Sequence, residues 1–101
     1  MRTASIDHGM KRIGLAISDA SGTLARPVST IRGDADPERA ARLVAGELDR
    51  LGRDLDGIGT VVVGLPRRLD GSNNDQTPVV EAFAAALARL VSNPRRVGDG
   101  Q

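Results

Sequence analysis

Apolar and polar residues alternate from the start of the chain. Ala4 and Ile6 face one way, Ser5 and Asp7 the other, which predicts a short strand over residues 3–7. His8-Gly9-Met10-Lys11 reads as a turn. Ile13, Leu15 and Ile17 then alternate with Gly14, Ala16 and Ser18, a second strand with one large apolar face and one face of small residues. Asp19-Ala20-Ser21-Gly22 is the next turn, with Asp19 as its side-chain anchor, and Leu24 to Ile31 is a third extended segment. Pro27 cannot donate to a strand ladder, which suits an edge strand. Turns this short imply an antiparallel meander.

The period then changes. Asp36-Pro37-Glu38 combines an N-cap acid, a proline in the first turn and a second acid at the positive end of the helix dipole. Ala40, Ala41, Val44, Leu48 and Leu51 follow at helical spacing, and Gly52 with Gly57 and Gly59 ends the helix. Thr60-Val61-Val62-Val63 is a β-branched run of the kind buried on both faces of a sheet. Gly64 to Asn74 is a polar loop. A second helix starts at Asp75 or Thr77-Pro78, with Val80, Phe83, Ala84, Leu87 and Val91 on one side, and Asn93-Pro94 closes it. Residues 93–101 show no pattern and are expected to be irregular. The order β-β-β-α-β-α predicts an α/β fold, a mixed sheet with helices packed on it.

Composition narrows the function. The 101 residues suit one small domain, and 40% hydrophobic with 27% charged residues is ordinary for a globular protein. A formal net charge of +1 excludes a strongly basic nucleic-acid arm but not a local basic patch. There is no apolar run of about 18 residues for a membrane span and no signal-peptide core, so a cytoplasmic location is expected. With no cysteine there is no disulfide, thiol catalysis or cysteine-held zinc. Phe83 is the single aromatic residue, which leaves almost no platform for base stacking. Of 14 basic residues all but Lys11 are arginine. A GC-rich genome accounts for that usage, and so does phosphate recognition by the guanidinium fork.

Asp7 ends the first strand and Gly64 ends the valine strand. A right-handed crossover makes these strands parallel and close. Ligand crevices in open α/β sheets form beyond the carboxyl ends of strands where the strand order reverses. Asp7 and the Gly64–Asp75 loop should therefore face one crevice. A strand-end carboxylate there suits magnesium or manganese, and two such ions about 4 Å apart can clamp a phosphodiester. It equally suits a plain turn acid. Gly9 allows a tight turn or a close ligand. Lys11 and Arg12 are phosphate contacts or solvated side chains, and Arg67 and Arg68 on the loop are better phosphate candidates. His8 lacks a second histidine and reads as a turn residue. Asp70-Gly71 is a turn signal. No phosphate-binding P-loop is present, and Gly57-Ile58-Gly59 precedes a strand instead of following one.

Three ordered motifs carry a family resemblance. Residues 5–19, Ser-Ile-Asp-His-Gly-Met-Lys-Arg-Ile-Gly-Leu-Ala-Ile-Ser-Asp, resemble the opening motif of the YqgF/RuvX family. Ala25-Arg26-Pro27-Val28-Ser29-Thr30-Ile31 resembles its third-strand motif. Val63-Gly64-Leu65-Pro66-Arg67-Arg68-Leu69-Asp70-Gly71-Ser72 resembles its second diagnostic motif, and Phe83 with Leu87 matches the helix that follows. The resemblance covers residues 1–92.

The resemblance implies an RNase H-like fold and phosphodiester hydrolysis dependent on Mg2+ or Mn2+, in processing of precursor ribosomal RNA or cutting of structured nucleic acid. It makes Asp7 the first catalytic acid and metal ligand. Lys11, Arg12, Arg67 and Arg68 become nucleic-acid contacts, and Gly9, Gly14, Gly64, Pro66, Asp70 and Gly71 structural motif positions. The family continues with a fifth strand bearing Asp-Glu-Arg and a last helix bearing another aspartate. Here Asp99-Gly100-Gln101 stands near that place without the glutamate and arginine, so two of three expected acids are missing. The expectation is therefore a domain over residues 1–101 lacking the final strand and helix. Cleavage should be impaired, and a bare valine-strand edge should be prone to self-association. Two other readings remain: a non-catalytic nucleic-acid or ribosome-associated module, and a nucleotide-binding fragment of an actin-like fold.

Overall fold

A computed structural model of the chain describes residues 2–18, 25–54, 57–64, 75–91 and 96–99, the last segment and Asp54 by backbone alone. The first three strands are β1 (Arg2–Asp7), β2 (Arg12–Ser18) and β3 (Ala25–Arg32). Helix α1 (Pro37–Asp54), strand β4 (Ile58–Val63), helix α2 (Thr77–Leu90) and strand β5 (Arg96–Asp99) follow. The five strands form one sheet in the order β3-β2-β1-β4-β5. β1–β2 and β2–β3 are antiparallel, while β1–β4 and β4–β5 are parallel. This is the mixed α/β sheet that the alternating and helical periods predict.

Most large apolar residues of β1, β2 and β4 share one face. Ala4, Ile6, Ile13, Leu15, Ile17, Ile58, Val61 and Val63 are buried there against Ala40, Ala41, Val44, Leu48 and Leu51 of α1 and Val80, Phe83, Ala86 and Leu87 of α2. Ile58 and Val61 can both point into this core because the register against β1 shifts between Arg2 and Thr3, opposite Ile58 and Thr60. The extra residue of that bulge resets the alternation. A second shift, between Leu15 and Ala16, does the same on β3 around Val28.

The capping read from Asp36 is present. Its Oδ1 accepts the Glu38 N–H at 2.9 Å, and its carbonyl accepts the Ala40 N–H at 3.0 Å. α1 runs through Gly52 to Asp54, within the stop region read from Gly52, Gly57 and Gly59. It closes where Gly57, at φ 104°, donates its N–H to the Gly52 carbonyl at 2.8 Å. Glycine adopts that backbone without the Cβ clash any other residue meets.

Two expectations are corrected. The valine run is not buried on both faces: Val61 and Val63 are buried, but Val62 is only half-buried, because among the described residues helices cover one face of the sheet. Nor is the chain beyond residue 93 irregular throughout, with β4 as a bare edge. Arg96–Asp99 pairs in parallel with Thr60–Val63, and Val97 stands opposite Val61. The backbone ladder supplies what four residues with one large apolar side chain do not signal. The premise for self-association through β4 goes with that edge.

Candidate functional site

β1 is the central strand, and its neighbours on either side leave in opposite directions: β1 leads to β2 and β4 leads across to β5. The β1/β4 boundary is thus the point where strand order reverses, and Asp7 ends β1 there. The Gly64 N–H donates to the Ile6 carbonyl at 3.2 Å, so the segment leaving β4 starts beside Asp7. Across the other edge Asp7 pairs with Gly14. Asp7 is exposed.

Strand alternation puts Ser5 and Asp7 on the face opposite the core, with Gly14 and Ala16 of β2 and Val62 of β4. These residues, with Pro27, Thr30 and Gly64, line an open cavity of about 370 Å³. The small side chains of β2 keep it open. A Cβ added at Gly14 would come 3.9 Å from the Cβ of Asp7, so Asp7 rises directly over that glycine. The other strand-end residues of the motif have structural work. At Gly9 a Cβ would stand 2.5 Å from the Arg12 carbonyl oxygen, closer than any side chain allows, so the turn itself requires glycine.

Gly33, which sequence patterning did not single out, locks the same turn from the far side. Its N–H donates to the Lys11 carbonyl at 2.8 Å. A Cβ there would lie 2.7 Å and 2.8 Å from the carbonyl oxygens of Met10 and Gly9. The only hint in the chain is a glycine directly after a strand.

His8 is a half-buried turn residue, as expected. Its ring lies 4.8 Å from that of Phe83, tilted by 54°. Burial lowers its pKa, against the opposing pull of its own backbone and Asp7. Its Nε2 is buried without a hydrogen-bond partner. The imidazole packs as an aromatic surface against α2 and anchors the turn next to Asp7.

Lys11, Arg12 and Arg32 are exposed, and with Thr30 and Ile31 they line a second cavity of about 350 Å³. Thr30 borders both cavities, so they are neighbours. Arg67, Arg68, Pro66, Asp70 and Gly71 lie outside the described residues, as does Asp19. Among the described residues no three His, Asp or Glu side chains gather to hold a metal ion. Asp99 stands opposite Val63 on β5, two strands from Asp7. Asp7 is therefore the one carboxylate that the described part of the cavity offers, too few protein ligands for a complete divalent-ion site.

The chain resembles several proteins over nearly its whole length. The RuvX family, described as Holliday junction resolvase, matches residues 1–99. A protein of Nocardioides sp. named "Putative pre-16S rRNA nuclease" is 45% identical over 96 residues, covering 93% of this chain and 59% of that protein. One of the same name from Prosthecochloris aestuarii is 42% identical over 86 residues, covering 85% of this chain and 54% of its own length. The chain thus spans little more than half of these curated relatives.

Among solved structures, T. thermophilus RuvC in complex with a Holliday junction substrate superposes with a TM-score of 0.58 at 14% identity, covering 99% of this chain and 65% of that one. The ethanolamine utilization protein EutJ of Carboxydothermus hydrogenoformans gives 0.62 at 15% identity, covering 98% and 37%. The fold alone therefore does not separate a resolvase from other users of this sheet. The sequence match gives the family: the chain belongs to the RuvX family, with an RNase H-like fold.

Proposed function

We propose that this chain engages the phosphodiester backbone of RNA as part of a nuclease of the precursor-rRNA type, with Asp7 as its first metal-holding carboxylate. The observation that carries the reading is the position of Asp7. It is exposed at the carboxyl end of the central strand, over Gly14 and beside Gly64, at the strand-order reversal. The 41–45% identity to several proteins named as pre-16S rRNA nucleases supports the substrate class.

Lys11 and Arg12 sit at the mouth of this face and would draw phosphates toward it, joined by Arg67 and Arg68 of the loop after Gly64. Mg2+ or Mn2+ held at Asp7 would polarise a phosphate oxygen and acidify a bound water. The described donor set does not complete such a site, so cleavage by these 101 residues is expected to be weak. The work left to Asp7 is to hold a carboxylate at a fixed point above Gly14.

The test separates ion binding from cleavage. Mn2+ titrated into the labelled 101-residue chain should broaden the amide signals of Asp7, Gly14 and Gly64 first, and Asp7→Asn should abolish that order. Cleavage of a precursor rRNA by the same two proteins is measured alongside. Identical broadening in both proteins removes Asp7 from the ion site. Identical, brisk cleavage removes it from the chemistry. A non-catalytic module on RNA would instead show salt-sensitive binding with no cleavage at any Mn2+ concentration.

A further inference from the structure

We propose that Arg12 and Arg32 form a single seat for a backbone phosphate of single-stranded RNA, one pleat repeat from Asp7 on the same face of the sheet. The inference rests on the nucleic-acid reading above and adds Arg32 to it.

The register places the two arginines. Arg12 and Arg32 are directly opposite partners in the antiparallel β2–β3 pair. Opposite residues hold their Cβ atoms about 5 Å apart, and like charges so placed repel. An anion seated between the heads relieves that repulsion. No carboxylate among the described residues pairs with either one. Asp34, the acid nearest Arg32 in the chain, feels the Arg32 charge, but its direct hydrogen bonds go to other partners. It accepts from the Arg39 Nε at 3.1 Å and from the Asp36 N–H at 2.8 Å. Lys11 adds a third cation at the rim of the same 350 Å³ cavity.

The face is fixed by the same register. Gly14 pairs with Asp7 on one side and with Thr30 on the other. Arg12 and Arg32 are two residues further along from Gly14 and Thr30, which returns them to that face, about 7 Å along the strands. Thr30 lines both cavities. A phosphate gripped by the arginine pair would thus continue its chain over Gly14 toward Asp7. Two planar forks converging on one phosphate give bidentate donors that a lysine pair could not.

The experiment is fluorescence anisotropy with an unstructured, labelled 12-nucleotide RNA and the same sequence as DNA. The proteins are the full chain, Arg12→Gln, Arg32→Gln, the double variant, and Arg42→Gln on the exposed side of α1. Each single change at the seat should weaken RNA binding at least fivefold at low salt. Each should also flatten the slope of log K against log salt by about 0.7, the value for one phosphate on a single strand. The double variant should lose at most about a further twofold, because the two residues serve one phosphate. Arg42→Gln should bind as the parent does.

Losses should be equal on RNA and DNA, since the seat reads phosphate and not sugar. Unchanged binding by Arg32→Gln overturns the proposal, as do losses that multiply in the double variant or losses confined to RNA. If the parent binds neither strand, the nucleic-acid reading fails and pyrophosphate becomes the deciding probe. A rise in melting temperature with pyrophosphate that Arg32→Gln abolishes would keep the anion seat, and its absence would sink it.

Discussion

Two glycines on this chain carry opposite expectations. Gly9 has the Arg12 carbonyl oxygen 2.5 Å from the point where a Cβ would sit. Gly9→Ala must displace the turn that follows Asp7, at a cost of about 1–3 kcal/mol. Gly46 lies inside α1 with no heavy atom beyond its own helix backbone and chain neighbours within 4 Å of the same point. Gly46→Ala should therefore stabilise by about 0.5–1 kcal/mol, since alanine loses less backbone freedom in a helix. Urea unfolding of both variants checks the pair, and equal effects would deny the close approach at Gly9.

Glu47 makes a further residue-scale prediction. It accepts from Arg50 Nε at 2.8 Å and from the Ser29 hydroxyl of β3, and these partners hold its pKa down to about 2. The folded value lies below the unfolded 4.5, so the stabilisation is present above pH 4.5 and is lost as pH falls toward 2. Solvent screening leaves about 1 kcal/mol of it. Glu47→Gln should be less stable than the parent by that amount at pH 7. The difference should close when thermal melts are repeated near pH 2. The turn glycine was partly readable from Gly9 itself, whereas the Ser29–Glu47 contact joins residues 18 apart across two elements and left no trace in either local pattern.

At the scale of elements, α2 is held to the sheet through Phe83, which is fully buried and meets the His8 ring. Phe83→Ala should cost about 3–5 kcal/mol, a large part of what a domain this size has. Phe83→Leu should retain the fold and lose only the ring contact that anchors the turn. In that variant the His8 side-chain resonances should shift while those of α1 do not, which heteronuclear NMR would show.

Most elements were legible because their periods are clean: Ile13, Leu15 and Ile17 for β2, and Ala40, Val44, Leu48 and Leu51 for α1. The valine triplet misled because β-branched residues mark a strand without telling how many of its faces are covered. β5 was invisible because Arg96-Val97-Gly98-Asp99 has no alternation of its own and exists through its pairing with β4. The Arg12–Arg32 juxtaposition was also hidden. It depends on a bulge near Val28, and without that bulge the register would slip by one residue and turn Arg32 to the other face.

For the molecule as a whole, what could be read in advance was the adjacency of Asp7 and Gly64. Crossover handedness and the reversal of strand order put Asp7 and Gly64 side by side, and the Gly64–Ile6 hydrogen bond shows them so. The arginines of the loop lie outside the described residues, so their part in the cleft rests on the nucleic-acid proposal. No described helix is long and apolar enough to cross a membrane. Structural likeness extends equally to RuvC and to EutJ, which share the sheet at 14–15% identity. Function in this fold therefore resides in what stands at the strand ends, not in the sheet.

β1 is bonded on both sides over residues 4–6, antiparallel to β2 and parallel to β4, while β3 and β5 form the rims. Protection from solvent deuterium should follow that order, with the Ile6 amide among the last to exchange and those of β3 among the first. Mass spectrometry on pulse-labelled protein would report it. A molecule that frays from its margins keeps its middle register longest, so the acid is mounted on the stretch that loosens last, and the guanidinium of Arg32 on a margin that gives way first.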